Sequence, residues 1–314
     1  MSIIEFTKLV QLGNAAAEAG DLDGAISHFR QAYAVMPENP NGPMLLASAL
    51  ALKGDSRGAI AAYQEALRLN PNSPKLHHAL GQILDQSGDV AGAAAQYQEL
   101  ARLAPESPAG WFLLGGARFR LEQDDAAIKA LREAVERAPD FPPAYNLLGL
   151  LLSRRNESAE AVACFETALR HAPQDDGIRL NLAGELALNG RPDEALALYD
   201  ALQERHPDLA AVPFGRGVAL SELKRDDEAI AAFESALRLR PEWAEARQNL
   251  AWLYGRTGRS ADATRELEAV LARNPKDALA HLGLAMVAAD QDDEATARRE
   301  AERVEAIMRA AVSD

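Results

Sequence analysis

Basic charge is scarce in this chain of 314 residues: 33 Lys and Arg face 47 Asp and Glu, a formal net charge of −14. Nucleic-acid surfaces carry a basic stripe and anionic lipid attracts polybasic segments, so neither class of partner is expected. Aromatic residues are few as well, 5% of the chain against a hydrophobic content of 48%, with alanine supplying much of the difference. The β-branched and aromatic runs of a sheet protein are missing, whereas the dominant Ala, Leu, Glu and Arg are helix formers. Cysteine occurs once, at Cys164, which excludes an intramolecular disulfide. No apolar run approaches the roughly 20 residues needed to span a bilayer. Met1 to Val10 lack the basic n-region and long apolar core of a secretory signal. These absences lead to the expectation of an all-α protein in the reducing cytoplasm, without membrane insertion.

What is present is a period. Pro37, Pro71, Pro105, Pro139, Pro173, Pro207, Pro241 and Pro275 recur every 34 residues without an insertion. A second column holds Ala25, Ala59, Ala93, Ala127, Ala161, Ala195, Ala229, Ala263 and Ala297, and four residues after all but the last stands a large side chain, from Phe29 and Tyr63 to Phe233 and Leu267. A third column, from Gly13 to Ala285, contains only glycine or alanine. Residues four apart share a helix face, so small meets large across a helix–helix contact. The register proline lies just past a helix and stops it, because it lacks an N–H and restricts the residue before it. The dipeptides Gly20-Asp21, Gly54-Asp55 and Gly88-Asp89 supply a turn residue tolerant of positive φ and a helix cap. Each period therefore reads as two antiparallel helices, A and B.

The spacing Trp111-x2-Leu114-Gly115, Ala127, Pro139, and more fully Tyr145-x2-Leu148-Gly149, Ala161, Phe165, Ala168, Pro173, resembles the tetratricopeptide repeat signature. The resemblance covers nine units, about residues 6–39, 40–73, 74–107, 108–141, 142–175, 176–209, 210–243, 244–277 and 278–311, in one domain over 1–314. It implies a right-handed superhelical α-solenoid with helix A lining a concave groove. Arg118 stands where an aromatic is usual and Arg216 where leucine is usual, so the seventh unit, with Pro213, is expected to pack less regularly.

Chemical motifs dissolve into this period. His77 and His78 are adjacent, hence about 100° apart on a helix and poorly placed to share a metal. Asp124-Asp125, Asp226-Asp227-Glu228 and Asp292-Asp293-Glu294 lie at A–B turns, where acidic residues cap helix B. The stretch Gly255 to Ser260 has no preceding strand and no lysine, which separates it from a phosphate loop. No catalytic residue, cofactor or metal site is expected, and the chain is read as not an enzyme.

Groove positions implied by the resemblance are rich in apolar residues: Phe112, Phe119, Leu150, Phe214 and Trp252, together with Val10, Met44, Leu52, Leu180, Leu188, Val218, Leu282 and Met286. A strip of this extent marks an interaction surface. Arg120 and Arg154 occupy the same position in successive units and Arg256 occupies it again, a candidate clamp for a carboxylate, with Asn146 available to a peptide backbone. Glu18, Asp85, Glu222, Glu245 and Asp290 supply the opposite sign. The family's lysine–asparagine clamp for chaperone tails is not assembled, since Val10 and Leu45 stand at two of its positions. The last helix, from Asp293, is polar over most of its surface and reads as a solubilising cap. The expected role is a protein-interaction adaptor or assembly factor that holds a peptide or helical segment of a protein partner. The alternatives are a self-associating scaffold and a non-catalytic partner subunit of an enzyme.

Overall fold

A computed structural model describes residues 2–313 as eighteen α-helices in two compact units that divide after Arg155. The first unit contains α1 (Ser2–Glu18), α2 (Leu22–Val35), α3 (Asn41–Lys53), α4 (Ser56–Leu69), α5 (Pro74–Gln86), α6 (Val90–Leu103), α7 (Pro108–Arg120), α8 (Asp124–Arg137) and α9 (Pro142–Arg154). The second contains α10 (Ser158–His171), α11 (Asp176–Leu188), α12 (Pro192–Arg205), α13 (Ala211–Glu222), α14 (Asp226–Leu239), α15 (Ala244–Arg256), α16 (Ser260–Leu271), α17 (Ala278–Asp290) and α18 (Glu294–Ser313). Odd-numbered helices are the A helices of the sequence reading and even-numbered ones the B helices. Among the described residues there is no strand.

The small–large columns form the core of each unit. Ala25, Ala59, Ala93, Ala127, Ala161, Ala195, Ala229 and Ala263 are fully buried, and so, within a few per cent, are the large residues that follow them. Each such Phe, Tyr or Leu stabilises its repeat by about 1.5–3 kcal/mol. The facing glycines are required sterically. A Cβ added at Gly81 would stand 2.5 Å from the Tyr97 ring, at Gly115 2.7 Å from Leu131 Cγ, and at Gly217 2.8 Å from the Phe233 ring.

Every A–B turn places one residue in the left-handed region, and these residues form a column of their own. Gly20, Gly54, Gly88, Gly190 and Gly258 have φ between 71° and 88°, while Glu122, Asn156, Lys224 and Asp292 occupy the same position at φ 57° to 59°. After the first three glycines, Asp21, Asp55 and Asp89 cap helix B by accepting from Gly24, Gly58 and Gly92 N–H at 2.8–2.9 Å. Asp293 does the same for Thr296 at 3.1 Å. The caps expected of Asp124 and Asp226 are not formed: both lie inside the first turn, after Gln123 and Arg225. Each instead pairs with an arginine ending the next A helix, Arg154 on Asp124 at 3.4 Å and Arg256 on Asp226 through two bonds. The dipole at the start of helix B still favours these carboxylates.

A further column crosses the repeat boundary. At five of the eight register prolines a donor six residues on bonds to the carbonyl: His77 on Pro71 and Trp111 on Pro105, at 2.9 and 2.8 Å. Arg179, Arg247 and His281 repeat the contact on Pro173, Pro241 and Pro275. At the corresponding place in the second and seventh units stand Pro43 and Pro213, which have no donor. In both units the A helix begins one residue late, after Pro40 or Ala210 in a helical conformation. The seventh unit thus differs from most of the others at its helix start, as the second unit does. Arg216 is half-buried and pairs with Asp200 at 2.8 Å, while Arg118 bonds to Gln98 and Gln123, so both unusual arginines have polar partners.

The last helix departs from the sequence reading at one residue. Glu300, counted there with the polar surface, is only 2% exposed. It accepts from His281 Nδ1 at 2.7 Å and from Arg299 and Arg303 at 3.0–3.2 Å. His281 Nε2 donates to Pro275 in turn, so each ring nitrogen faces an acceptor. His77 and Gln96 make the same contact in the third unit, at 2.9 Å.

Candidate functional site

In α15 the residues Ala246, Leu250, Leu253 and Tyr254 are buried, which leaves Glu245, Asn249, Trp252 and Arg256 as a stripe on the opposite side. Thirty-four residues on, α17 buries Ala280, Ala285 and Val287 and presents Leu279, Leu282, Met286 and Asp290. The two stripes line one cleft of about 470 Å³. Its apolar side chains are unusually open: Trp252 is 50% exposed, Leu279 65%, Leu282 45% and Met286 53%.

Position in this cleft is fixed from behind. The Arg256 guanidinium lies over the Trp252 ring, 4.3 Å from its centroid, and is itself held by Asp226 of α14. Gln248 donates to Asp277 at 2.9 Å and Asn249 to the Glu245 carbonyl at 2.9 Å. Tyr254, buried beneath the stripe, has its phenol pushed up to about 12 by burial and by its bond to Glu234. Glu245 and Asp290 stand at the rim, and among the described residues neither carboxylate has an ion-pair partner.

The residues expected to line a groove fall into separate settings. In the second unit, Trp252, Arg256, Leu282 and Met286 are brought together in the cleft. Phe214 is elsewhere, stacked on Trp243 at 4.3 Å and edge-on to Phe233 at 5.6 Å. In the first unit, Phe112 packs edge-on against Phe141 at 5.0 Å, and Phe119 lies under Arg154 at 5.5 Å from ring to guanidinium. Leu150 is half-buried. Arg120 pairs with Asp85 and Arg154 with Asp124, so a ligand carboxylate would have to compete with a carboxylate already present. Asn146 is half-buried and already engaged within the protein. Leu279 and Asn249 were absent from the expected set, although the 34-residue offset from Glu245 points to Leu279 directly. Among the described residues no group of three or more His, Cys, Asp or Glu is placed to hold a metal ion. Nor is any helix among them long and apolar enough to cross a membrane.

Tetratricopeptide repeat profiles match residues 16–83 and 222–287, residues 78–142, 146–210 and 185–242, and residues 278–303. The chain belongs to the tetratricopeptide repeat family. Among solved structures, this tetratricopeptide repeat protein is similar to the C-terminal part of a repeat-containing protein from Cytophaga hutchinsonii, at 18% identity and TM-score 0.59 over 76% of this chain and 98% of that one. It is similar to PilW, a type IV pilus biogenesis factor, at 18% identity and TM-score 0.58 over 63% and 92%. It also resembles a chain of the APC/C hetero-tetramer Cut9–Hcn1, at 13% identity and TM-score 0.56 over 96% and 93%. Likeness at these identities is likeness of fold. A comparison with curated proteins gives no match. The family membership supports a protein-interaction or scaffold role.

Proposed function

We propose that this tetratricopeptide repeat protein is a non-catalytic adaptor or assembly factor of the cytoplasm, which holds an apolar peptide or helical segment of a protein partner. The cleft between α15 and α17 carries the reading. Four large apolar side chains converge there with their surfaces open, although a folded chain gains about 25 cal/mol for each Å² of apolar surface it hides. Phe112, Phe119, Arg120, Asn146, Leu150 and Arg154 form a second candidate stretch in the first unit, and Phe214 a further point in the second. To test this, a photo-crosslinking residue replaces Met286 in one preparation and the exposed Ala163 in another. Crosslinks to an apolar segment of another protein from Met286 alone, lost when Leu282→Asp is added in a chain of unchanged helicity, support the reading. Equal products from both positions refute it.

Self-association is a second reading, favoured by Ile3 and Ile4, which are exposed near the start of α1. A mass that stays monomeric over a wide concentration range would eliminate it.

A further inference from the structure

The rim of the α15–α17 cleft says what kind of segment fits its floor. The charged side chains that line it are Glu245, Arg256 and Asp290. Arg256 is neutralised by two bonds to Asp226 and by its seat over the Trp252 ring. Glu245 opens α15 and Asp290 closes α17, so the two carboxylates lie on facing stripes with Trp252, Leu282 and Met286 between them. Both are exposed and without an ion-pair partner among the described residues. Asp290 also ends its helix, where the dipole disfavours an acid. The same position holds Arg120, Arg154 and Arg256 in other repeats. Glu18 and Glu222 occupy it in the first and seventh repeats, so the column carries either sign, and in the ninth repeat it is an acid beside an apolar floor.

We infer that the cleft is selective for an apolar segment flanked by Lys or Arg, the apolar side chains lying on Trp252, Leu279, Leu282 and Met286 and the cations on Glu245 and Asp290. This inference rests on the groove reading above and narrows it to one partner chemistry. An acidic segment would bring like charges to a half-desolvated rim, where repulsion is screened less than in open water. The net charge of −14 favours approach of the same cationic segments over a longer range.

Two synthetic 16-residue amphipathic peptides serve as probes. They share one leucine stripe with helical spacing and differ only in carrying Lys or Glu at the flanking positions. Binding to the full chain is followed by anisotropy of a dye on each peptide. The lysine peptide is expected to bind about tenfold tighter than the glutamate peptide, the worth of two partly exposed ion pairs. Glu245→Gln/Asp290→Asn should remove that preference and Glu245→Lys/Asp290→Lys should invert it. Glu204→Lys/Asp208→Lys, which makes the same charge change at exposed sites outside the cleft, should leave it in place. Leu282→Asp should weaken both peptides.

Loss of the preference in the Glu204/Asp208 variant as fully as in the Glu245/Asp290 variants would assign it to overall charge and overturn the inference. Equal binding of the two peptides, weakened by Leu282→Asp, would overturn charge selectivity while leaving a segment-binding groove. Binding of neither peptide, or binding indifferent to Leu282→Asp, would overturn both.

Discussion

The left-handed column at the A–B turns predicts where this protein gains stability by losing side chains. An L-residue in that conformation costs about 1–2 kcal/mol, and glycine recovers that but has about 0.5–1 kcal/mol more chain entropy to lose on folding. Glu122 and Lys224 hold φ of 57° and 59° with exposed side chains. Glu122→Gly and Lys224→Gly should therefore each stabilise by about 0.5–1 kcal/mol. Asn156→Gly and Asp292→Gly should be nearly neutral, because Asn and Asp tolerate this region best. The reverse change isolates the backbone contribution. A Cβ added at Gly54 or Gly258 meets nothing within 4 Å, so Gly54→Ala and Gly258→Ala test φ of 86° and 75° with no steric clash. Each should cost about 1 kcal/mol. Urea unfolding with the slope held fixed gives the comparison. A neutral Gly54→Ala, or a destabilising Lys224→Gly, would refute the reasoning.

Two other predictions concern packing and charge. Gly217→Ala forces a Cβ to 2.8 Å from the Phe233 ring and should cost about 1–3 kcal/mol, whereas Gly116→Ala, with open space around it, should stabilise α7 by up to about 1 kcal/mol in thermal unfolding. Burial alone raises the Glu300 carboxyl, but its bonds to His281, Arg299 and Arg303 outweigh this and hold it below the ordinary 4.5. Its contribution is then fully present above that pH and is lost as the pH falls through the lowered value. Hydrogen exchange in α17 and α18 should accelerate over that acid range in the natural chain. Glu300→Ala, which leaves the buried His281 unpaired, should cost about 3–5 kcal/mol, while Glu300→Gln, which restores the His77–Gln96 arrangement, should cost less.

The fold was legible because the period is unbroken. Columns of Pro, Ala and large residues locate the helix pairs, and Gly20, Gly54 and Gly88 locate their turns. Glu122 and Lys224 escape that reading, since nothing in their chemistry announces a left-handed residue; only their place 34 residues along the column does. Asp124 and Asp226 read as caps, yet a carboxylate at a helix start has a second use once an arginine from the next repeat reaches it. Glu300 reads as surface because its burial depends on His281, nineteen residues away on another helix. The candidate site was half legible for a related reason. Repeat position says which residues flank a groove, but not whether a neighbour such as Phe141 or Trp243 has already covered them.

The donor that spans five of the repeat boundaries bears on how such an array changes length. His, Trp and Arg all serve the proline carbonyl, so the joint does not ask for a particular neighbour. Removing residues 74–107 would bring Trp111 to the Pro71 carbonyl that His77 now occupies, and the chain would close without a misfit at that point. Duplication or excision of one 34-residue segment is then a step between working proteins, in which the number of repeats can drift while a junction of this kind is filled by whichever of the three donors follows.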